Sequence, residues 1–360
     1  MNTATVAVLF GGRSSEHSIS SATAGGVLRA IDRDRYRVIP IGITRDGAYV
    51  LEDDDPGKFA LDPAHLPEVL DNGTRIIWPD SARSRELRVR GADGTERSLG
   101  DVDVVFPILH GRFGEDGTIQ GFLELLDLPY VGAGLLMSAI AMDKHTTKRI
   151  LKAADVPVAP WWSVTRRDVE HDDELVRRRV RSLGLPVFVK PARAGSSVGV
   201  SKVADWSELD AALEAAWAED DTALVEQAVI GREIECGVLA GRDGGDTRVS
   251  VAGEIILDGP DFYDFEAKYL GGAGAELVCP ADLQPGELAE MQRVAARAFE
   301  AVGGEGLARV DFFYTGTEFI VNEVNTMPGF TPISMFPKCW IASGMTYEQL
   351  VSELIEMAHS

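Results

Sequence analysis

Short apolar runs alternate with segments of helical spacing in the first part of the chain, and this alternation predicts an open α/β sheet. Residues 5–10 and 36–43 have the apolar character of strands, and a helix ending near Ala30 is predicted between them. Residues 102–109 form a nearly continuous apolar run, typical of a strand buried on both faces, and 118–126 follow as a helix. Ligands of such sheets bind beyond the carboxyl ends of the strands.

The remaining chain also alternates, which gives three predicted units, 1–132, 133–226 and 227–360. Residues 52–98 are polar, with only short strand-like pieces at 75–78 and 87–89. The second unit is predicted to contain helices at 138–153 and 209–217 and strands at 187–190, 198–202 and 223–227. The third is predicted to contain strands at 233–239 and 250–256, a helix at 287–302 and a hairpin at 307–324.

Composition limits the partners that the protein can have. Its 360 residues include 35 Lys and Arg against 57 Asp and Glu, a formal net charge of −22. Nucleic acid and anionic membranes are therefore not expected as partners, because both would be repelled. The apolar runs are too short to span a bilayer, and the first strand does not resemble a signal peptide, so we expect a cytoplasmic protein. Cys236, Cys279 and Cys339 have no metal or redox spacing, and we expect buried free thiols.

Lys190 ends a predicted strand and precedes a loop rich in glycine and serine at 195–199. Small residues let backbone N–H groups approach phosphate oxygens, and lysine adds a positive charge, so this pattern indicates a phosphate-binding loop. It is not a Walker loop, because the Gly-Lys-Ser/Thr order is absent. A flexible hairpin turn explains the same residues equally well.

The predicted hairpin at 307–324 carries polar residues between apolar ones. Alternation along a strand puts Arg309 and Asp311 on one face, and likewise Glu323 and Asn325. If the hairpin is symmetric, Asp311 lies opposite Glu323, where two carboxylates repel each other. A divalent cation removes this repulsion and Asn325 adds an oxygen ligand, so we predict a metal site. The alternative is an exposed hairpin in which Arg309 pairs with Asp311.

Three further segments are candidates for substrate contacts. Glu16 starts a helix, where it either complements the helix dipole or binds a substrate ammonium. His110 follows a buried strand and is either a structural histidine or a substrate contact, whereas Glu115 and Asp116 are interpreted as helix caps. The long Gly-rich stretch at 257–280 contains aromatic residues, which predicts a mobile cover that excludes water.

In this order, the motifs resemble those of D-alanine–D-alanine ligases of the ATP-grasp superfamily, from Phe10-Gly11-Gly12 to Phe336-Pro337. The resemblance implies three α/β domains, with ATP between the central and C-terminal ones, and a homodimer formed through the N-terminal domain. It also implies that two D-alanine molecules are joined through an acyl phosphate for peptidoglycan precursor synthesis. Residues 50–100 match poorly and are expected to be a variable insertion.

The resemblance also assigns roles to individual residues. The implied nucleotide-binding positions are Lys144, Lys190 and Lys268 for phosphates, and Glu226, Ala228, Val229 and Glu233 for adenine and ribose. Two Mg²⁺ ions, with Mn²⁺ as a possible substitute, are implied at Asp311, Glu323 and Asn325. The implied amino-acid contacts are Glu16 for the first ammonium, His110 near its carboxylate, and Ser334 and Met335 for the second carboxylate. Arg309 and the Gly329 N–H are implied to stabilise oxyanions, and Ser196 and Tyr269 to link to Glu16.

Other functions compete with this interpretation. A D-alanine–D-lactate ligase has the same fold, and Tyr269 beside Lys268 favours the dipeptide. An ATP-grasp carboxylase would need bicarbonate and biotin sites that the sequence does not reveal. A non-catalytic module that binds ATP or an amino acid would not need Arg309 together with a metal cluster.

Overall fold

The computed structural model describes residues 3–60, 66–257 and 275–359. Lys268, Tyr269 and most of the predicted cover at 257–280 lie outside these ranges. No helix within the three ranges is long and apolar enough to cross a membrane. The described residues form four sheets, and three of them surround the candidate site.

The N-terminal part confirms the predicted α/β sheet. Its strands are β1 (Ala4–Gly11), β2 (Tyr36–Ile43), β3 (Tyr49–Leu51), β4 (Arg75–Ile77), β5 (Glu86–Arg90), β6 (Glu96–Asp101) and β7 (Val104–Pro107). Its helices are α1 (His17–Ala30), α2 (Thr118–Leu125) and a 3₁₀ helix at Pro56–Phe59. The main sheet has the order β3-β2-β1-β7, and β1 pairs in parallel with β2 and β7. The polar insertion forms a separate antiparallel sheet, β4-β5-β6.

The central part differs from the prediction in three places, one of which is a strand and a helix at 161–181 that were not predicted. Its elements are α3 (Leu135–Met142), α4 (Lys144–Ala153), β8 (Trp161–Thr165), α5 (Arg166–Arg181), β9 (Val187–Pro191), β10 (Ser201–Val203), α6 (Leu209–Glu219) and β11 (Thr222–Gln227), with a 3₁₀ helix at Trp206–Glu208. The predicted helix at 138–153 is two helices, because Asp143 has extended ψ and its side chain caps α4 by accepting the Thr146 N–H. The strand predicted at 198–202 is only β10, because Ser196, Ser197 and Gly199 have positive φ and form a turn.

The C-terminal part is an antiparallel sheet with the order β14-β13-β12-β15-β16. Its elements are β12 (Arg232–Leu239), β13 (Arg248–Leu257), β14 (Ala275–Val278), α7 (Pro285–Ala301), β15 (Leu307–Tyr314), β16 (Phe319–Asn325), α8 (Met335–Ala342) and α9 (Tyr347–His359), with a 3₁₀ helix at Arg242–Gly244. The predicted hairpin is β15–β16. The predicted helix at 287–302 is α7, which starts two residues earlier because Pro285 occupies its first turn.

Packing across the predicted units brings the candidate site together. Met137 on α3 and Leu151 on α4 share a hydrophobic core with Val310 of the C-terminal sheet. Leu350 on α9 shares a core with Val8 of the N-terminal sheet. The start of the second unit and the end of the third therefore pack on other units, and the predicted limits at 132 and 226 remain a prediction.

Candidate active site

A row of carboxylates crosses three neighbouring strands of the C-terminal sheet. Asp311 on β15 pairs directly with Glu323 on β16, as the symmetry of the hairpin predicted, and with Glu235 on β12. Side chains of directly paired residues point to the same face of a sheet. The hairpin therefore presents Asp311 between two other acids, and sequence analysis had identified only one of them.

Two cations contact this row. Arg309 donates two hydrogen bonds to Asp311, at 2.6 and 2.7 Å, and its Nε lies 3.1 Å from Glu235. Burial alone would lower the pKa of Arg309, but the carboxylates of Asp311 and Glu235 raise it well above its ordinary value. Lys144 Nζ lies 3.4 Å from Glu323. The Arg309–Asp311 pair of the alternative interpretation does form, but Asp311 is buried and Arg309 is half-buried rather than exposed.

The same row offers oxygen ligands to a divalent metal. Asn325 donates its side-chain N–H to Asp311 at 2.9 Å, and this hydrogen bond does not use the side-chain carbonyl oxygen that would bind a metal. Carboxylate and amide oxygens are the ligands that Mg²⁺ and Mn²⁺ accept, so the donor set fits such an ion. Within the described ranges, no three His, Cys, Asp or Glu side chains already converge as a metal site. The metal ligands Asp311, Glu323 and Asn325 therefore remain a prediction.

A buried charge cluster lies beside the loop that follows Lys190. Lys190 Nζ and Lys148 Nζ lie 3.0 and 3.1 Å from the same oxygen of Glu226. Burial alone would raise the pKa of Glu226, but the two lysines lower it below its ordinary value. Burial lowers the pKa of Lys148. Lys190 also donates to the Asn322 side chain at 3.3 Å. Glu226, predicted to contact adenine, thus holds two lysines in this structure.

The nucleotide positions surround a cavity of about 260 Å³ between the central and C-terminal sheets. Lys144, Lys190, Glu226, Val229 and Glu233 line it, together with the Gly-Ser loop. Ala228 is not among the described lining residues, and its N–H donates to the carbonyl of Pro186 at 3.1 Å. An adenine contact from Ala228 would therefore have to use its carbonyl oxygen.

A second cavity, of about 150 Å³, lies on the side of the N-terminal sheet. Glu16 is buried there and accepts a 2.5 Å hydrogen bond from the Ser196 hydroxyl, which is the Ser196 link that the resemblance implied. Gly111 touches the same carboxylate, since a Cβ on it would lie 2.6 Å from Glu16 Oε2. Gly111 also has φ of +70°, so both space and backbone conformation require glycine.

Glu115 is a half-buried acid that lines this cavity rather than the helix cap that the sequence suggested. It accepts hydrogen bonds from the N–H groups of Gly111 at 2.6 Å and Met327 at 3.1 Å. Burial, and secondly the nearby charge of Glu16, raise its pKa to about 8. Near neutral pH, Glu115 therefore carries a proton while it faces the same space as Glu16.

His110 lines the same cavity and is fixed between two partners. Its Nδ1 lies 2.9 Å from the carbonyl oxygen of Met327, which can only accept, so Nδ1 is the protonated nitrogen. Its Nε2 lies 3.4 Å from the Thr23 hydroxyl. Burial lowers the pKa of His110, so the ring is neutral and offers no net charge to a substrate carboxylate.

The far wall of this cavity is the start of α8. Ser334 and Met335, which the resemblance implies for the second amino acid, line it together with Gly329, which the resemblance implies as an oxyanion donor. The Ser334 hydroxyl lies 2.7 Å from that of Thr331 and does not cap the helix. Because the first N–H groups of a helix have no partner within it, this end of α8 can bind a carboxylate.

Sequence analysis missed three residues of the site, and two of them left a usable signal. Glu235 alternates with Glu233 on one strand, so both share a face. Lys148 lies one helical turn after Lys144 on α4, which places both on one side of the helix. Glu115 gave no such signal, because an acid before a helix is usually a cap.

Comparisons with known proteins show the family of this chain. Residues 5–133 match the family described as "D-ala D-ala ligase N-terminus", and residues 150–356 match "D-ala D-ala ligase C-terminus". The chain is 51% identical over 356 residues to the D-alanine–D-alanine ligase of Paenarthrobacter aurescens, covering 98% of this chain and 94% of that relative. It is 49% identical over 363 residues to the D-alanine–D-alanine ligase of Streptomyces coelicolor, covering 98% and 92%.

Solved structures show the same similarity. The VanG D-Ala:D-Ser ligase of Enterococcus faecalis superposes with a TM-score of 0.86 at 32% identity, over 99% of this chain and 100% of that one. The D-alanine–D-alanine ligase of Coxiella burnetii gives a TM-score of 0.82 at 36% identity, over 100% and 94%.

Proposed function

The chain belongs to the D-alanine–D-alanine ligase family, and from this membership we infer that it joins two D-alanine molecules into D-alanyl-D-alanine for cell-wall synthesis. The family uses ATP and depends on a divalent metal. The proposed chemistry is phosphorylation of one D-alanine carboxylate, followed by attack of the amine of the second.

One observation carries this proposal. Lys144, Ser196, Arg309 and Glu323 line both cavities, so the two spaces meet at these side chains. Phosphoryl transfer requires the phosphate donor and the attacking carboxylate to be positioned against each other. A junction of cations and oxygen ligands between the two cavities is suited to that reaction.

In the nucleotide cleft, we propose that Lys144 and Lys190 bind the phosphates and that Glu233 and Val229 contact the nucleoside. Phosphate oxygens take over Lys190 from Glu226, while Lys148 keeps Glu226 paired. Lys268 is proposed to reach the γ-phosphate. The family resemblance supports that role, because it matches Lys268, which directly precedes Tyr269, to the lysine that contacts this phosphate.

Asp311, Glu323 and Asn325 are proposed to hold two Mg²⁺ ions, for which Mn²⁺ can substitute. Such ions, when bound, neutralise charge on the phosphates. Release of Asp311 from Arg309 frees the guanidinium for a developing oxyanion. The Gly329 N–H is proposed as a second donor to that oxyanion.

The first step takes place at the junction. Glu16 holds the ammonium of the first D-alanine, and the neutral His110 lies near its carboxylate. A carboxylate oxygen attacks the γ-phosphorus, the bond to the β–γ bridging oxygen breaks, and ADP leaves. The product is an acyl phosphate.

The second step requires an uncharged amine. The carboxylate of the second D-alanine binds the start of α8 at Ser334 and Met335, which directs the amine to the acyl phosphate. The amine attacks the carbonyl carbon, its nitrogen releases a proton, the tetrahedral intermediate expels phosphate, and the peptide bond remains. No covalent intermediate with the protein is needed.

An acceptor screen tests the function. ADP release should require D-alanine, and chromatography should identify D-alanyl-D-alanine as the main product near pH 6 and pH 8 when D-lactate and D-serine compete. ADP release without D-alanine would contradict ligation, and mainly depsipeptide at both pH values would indicate a D-lactate ligase. A module that only binds its ligands would release no ADP.

We also propose that the protein is a cytoplasmic homodimer formed through the N-terminal domain. Support comes from the family resemblance, the prevalence of two-fold symmetric pairs and the free cysteines of the described residues. Light scattering at micromolar concentration should give twice the chain mass, and a monomer mass would contradict the dimer.

A further inference from the structure

The fold brings together two cysteines that are 60 residues apart in sequence. Cys279 directly follows β14, and Cys339 lies within α8; their sulfur atoms are 3.8 Å apart. The third cysteine, Cys236, is buried on β12 in another hydrophobic cluster. The spacing along the sequence had given no sign of this pair.

The two thiols differ in reactivity. Cys279 is half-buried, and its hydrogen bond with Cys339 lowers its pKa, so it reaches the reactive thiolate form more readily. Cys339 is fully buried, and the same contact together with burial raises its pKa well above the ordinary value. An accessible, more acidic thiol beside a protected partner is the arrangement of attacking and resolving cysteines in redox-sensitive proteins.

We propose that Cys279 and Cys339 are an oxidisable pair that forms a disulfide when the protein meets hydrogen peroxide. The Cys279 thiolate attacks one peroxide oxygen, the O–O bond breaks, and hydroxide leaves and takes up a proton as water. The resulting sulfenic acid is attacked by the Cys339 sulfur, which loses its proton as a second water leaves. The two thiols lose two electrons in total, and peroxide is reduced to two waters.

Closing this bond has a structural consequence. A disulfide needs a sulfur separation of about 2 Å, so the two thiols must approach each other. The helix α8 has little room to move inward, since a Cβ on Gly253 would lie 2.1 Å from Met335 Sδ and one on Gly237 would lie 2.4 Å from Trp340 Nε1. Most of the movement therefore falls on β14, the edge strand.

The movement of β14 takes place beside the amino-acid cavity. Leu277 on β14 and Met335 on α8 belong to the hydrophobic cluster that includes both cysteines, and both line that cavity. Oxidation should therefore disturb the proposed subsite of the second D-alanine and leave the nucleotide cleft intact. This effect on activity rests on the proposed function, whereas the disulfide itself does not.

The experiment treats the reduced full-length protein with hydrogen peroxide, alkylates the remaining thiols and maps peptides without reduction. We expect the Cys279 peptide to be linked to the Cys339 peptide in the wild type and in Cys236→Ala. In Cys279→Ser, which changes a half-buried residue outside the proposed catalytic machinery, the link should be absent and the basal activity retained. In the wild type, oxidation should lower kcat/KM for D-alanine by roughly tenfold, as a displaced substrate wall does, with recovery in dithiothreitol.

Each alternative outcome has a distinct meaning. Alkylation of both Cys279 and Cys339 after peroxide, or links formed by Cys236 to the same extent, would overturn the pair. A complete link with unchanged D-alanine kinetics would overturn its effect on the pocket. Absence of ligase activity before oxidation would count against the proposed function instead, because peptide mapping still measures the disulfide.

Discussion

The two halves of the cleft hold their carboxylates in opposite ways. In the nucleotide half, Glu226 lies against two lysines and Glu323 against Lys144. In the amino-acid half, Glu16 accepts a serine hydroxyl and Glu115 accepts backbone N–H groups, and among the described residues neither forms an ion pair with Lys or Arg.

Because of this difference, one half of the cleft can exchange ionic partners and the other can exchange a proton. Lysines lower the pKa of Glu226 although it is buried, whereas burial and a neighbouring acid raise that of Glu115 to about 8. The nucleotide half therefore keeps its charges and can exchange one ionic partner for another when phosphate binds. The amino-acid half instead gains or loses a proton near physiological pH.

Of the substitutions considered, Glu323→Gln in the nucleotide half should reduce turnover most. It keeps the size of the side chain but removes the charge opposite Asp311, so turnover at saturating Mg²⁺ should fall by roughly 10²-fold or more. ADP release measures turnover, and circular dichroism checks that the fold is retained. Glu318→Gln, an exposed acid in the turn of the same hairpin, is the control. Near wild-type activity of Glu323→Gln would rule out the metal assignment.

Lys190→Met should weaken ATP binding without changing the amino-acid half. Loss of one charged hydrogen bond should cost about 2 kcal/mol, roughly thirtyfold in Kd, and Glu226 keeps Lys148 as its partner. Titration calorimetry with ATP measures the change. Lys202→Met, an exposed lysine of the same sheet, should bind ATP like the wild type. Equal ATP affinity in all three proteins would exclude Lys190 from phosphate binding.

Glu115→Gln should reduce the pH dependence of the KM for D-alanine, which we attribute to the amino-acid half. Below about pH 8 the Glu115 carboxyl is neutral, and above it a second negative charge appears beside Glu16 and opposes the substrate carboxylate. The KM of the wild type for D-alanine should rise by roughly tenfold across this transition, and the variant should lack that component. Steady-state kinetics from pH 6 to pH 9 measure it, with Glu318→Gln as the control. If the KM of the wild type and that of Glu115→Gln change in the same way with pH, the pKa of Glu115 is not raised.

The same substitution has a predicted effect on stability. The pKa of Glu115 is ordinarily 4.5 and about 8 in the folded protein, so between these values the folded state retains a proton that the unfolded chain has lost. The free energy of unfolding should therefore decrease as pH rises through this window, and less so in Glu115→Gln. Thermal unfolding near pH 5 and pH 8.5 compares the slopes; identical slopes would show that Glu115 does not titrate abnormally.

Ser196→Ala should have the smallest effect, because it removes one hydrogen bond at the boundary between the halves. Loss of the hydroxyl that Glu16 accepts should cost about 1 kcal/mol, roughly fivefold in kcat/KM for D-alanine. The Kd for ATP serves as the internal control and should not change. A larger effect on ATP than on D-alanine would place Ser196 functionally in the nucleotide half.

Much of the fold and part of the site could be predicted because their signals are local. Alternation along two strands and a short turn fixed the pairing of Asp311 with Glu323, since a hairpin leaves few registers to choose from. The Gly-Ser loop after Lys190 was also recognisable, although its three left-handed residues form a turn where a strand was predicted. The break at Asp143 was missed because an acid within a helical pattern is ordinary until its side chain caps the next turn.

The sequence by itself determined the alternating elements, the order of the motifs and the residue types that can bind phosphate and metal. Only the tertiary structure decided which of these groups meet. The pKa of Glu115 is raised because folding removes the carboxyl from water and places it near Glu16, and Lys148 became a partner of Glu226 because α4 packs beside the central sheet. Cys279 and Cys339 came within 3.8 Å because α8 packs on β12 and β13, next to the edge strand β14. Burial and long-range proximity set pKa values and reactivity, and neither is encoded in the spacing of residues along a chain.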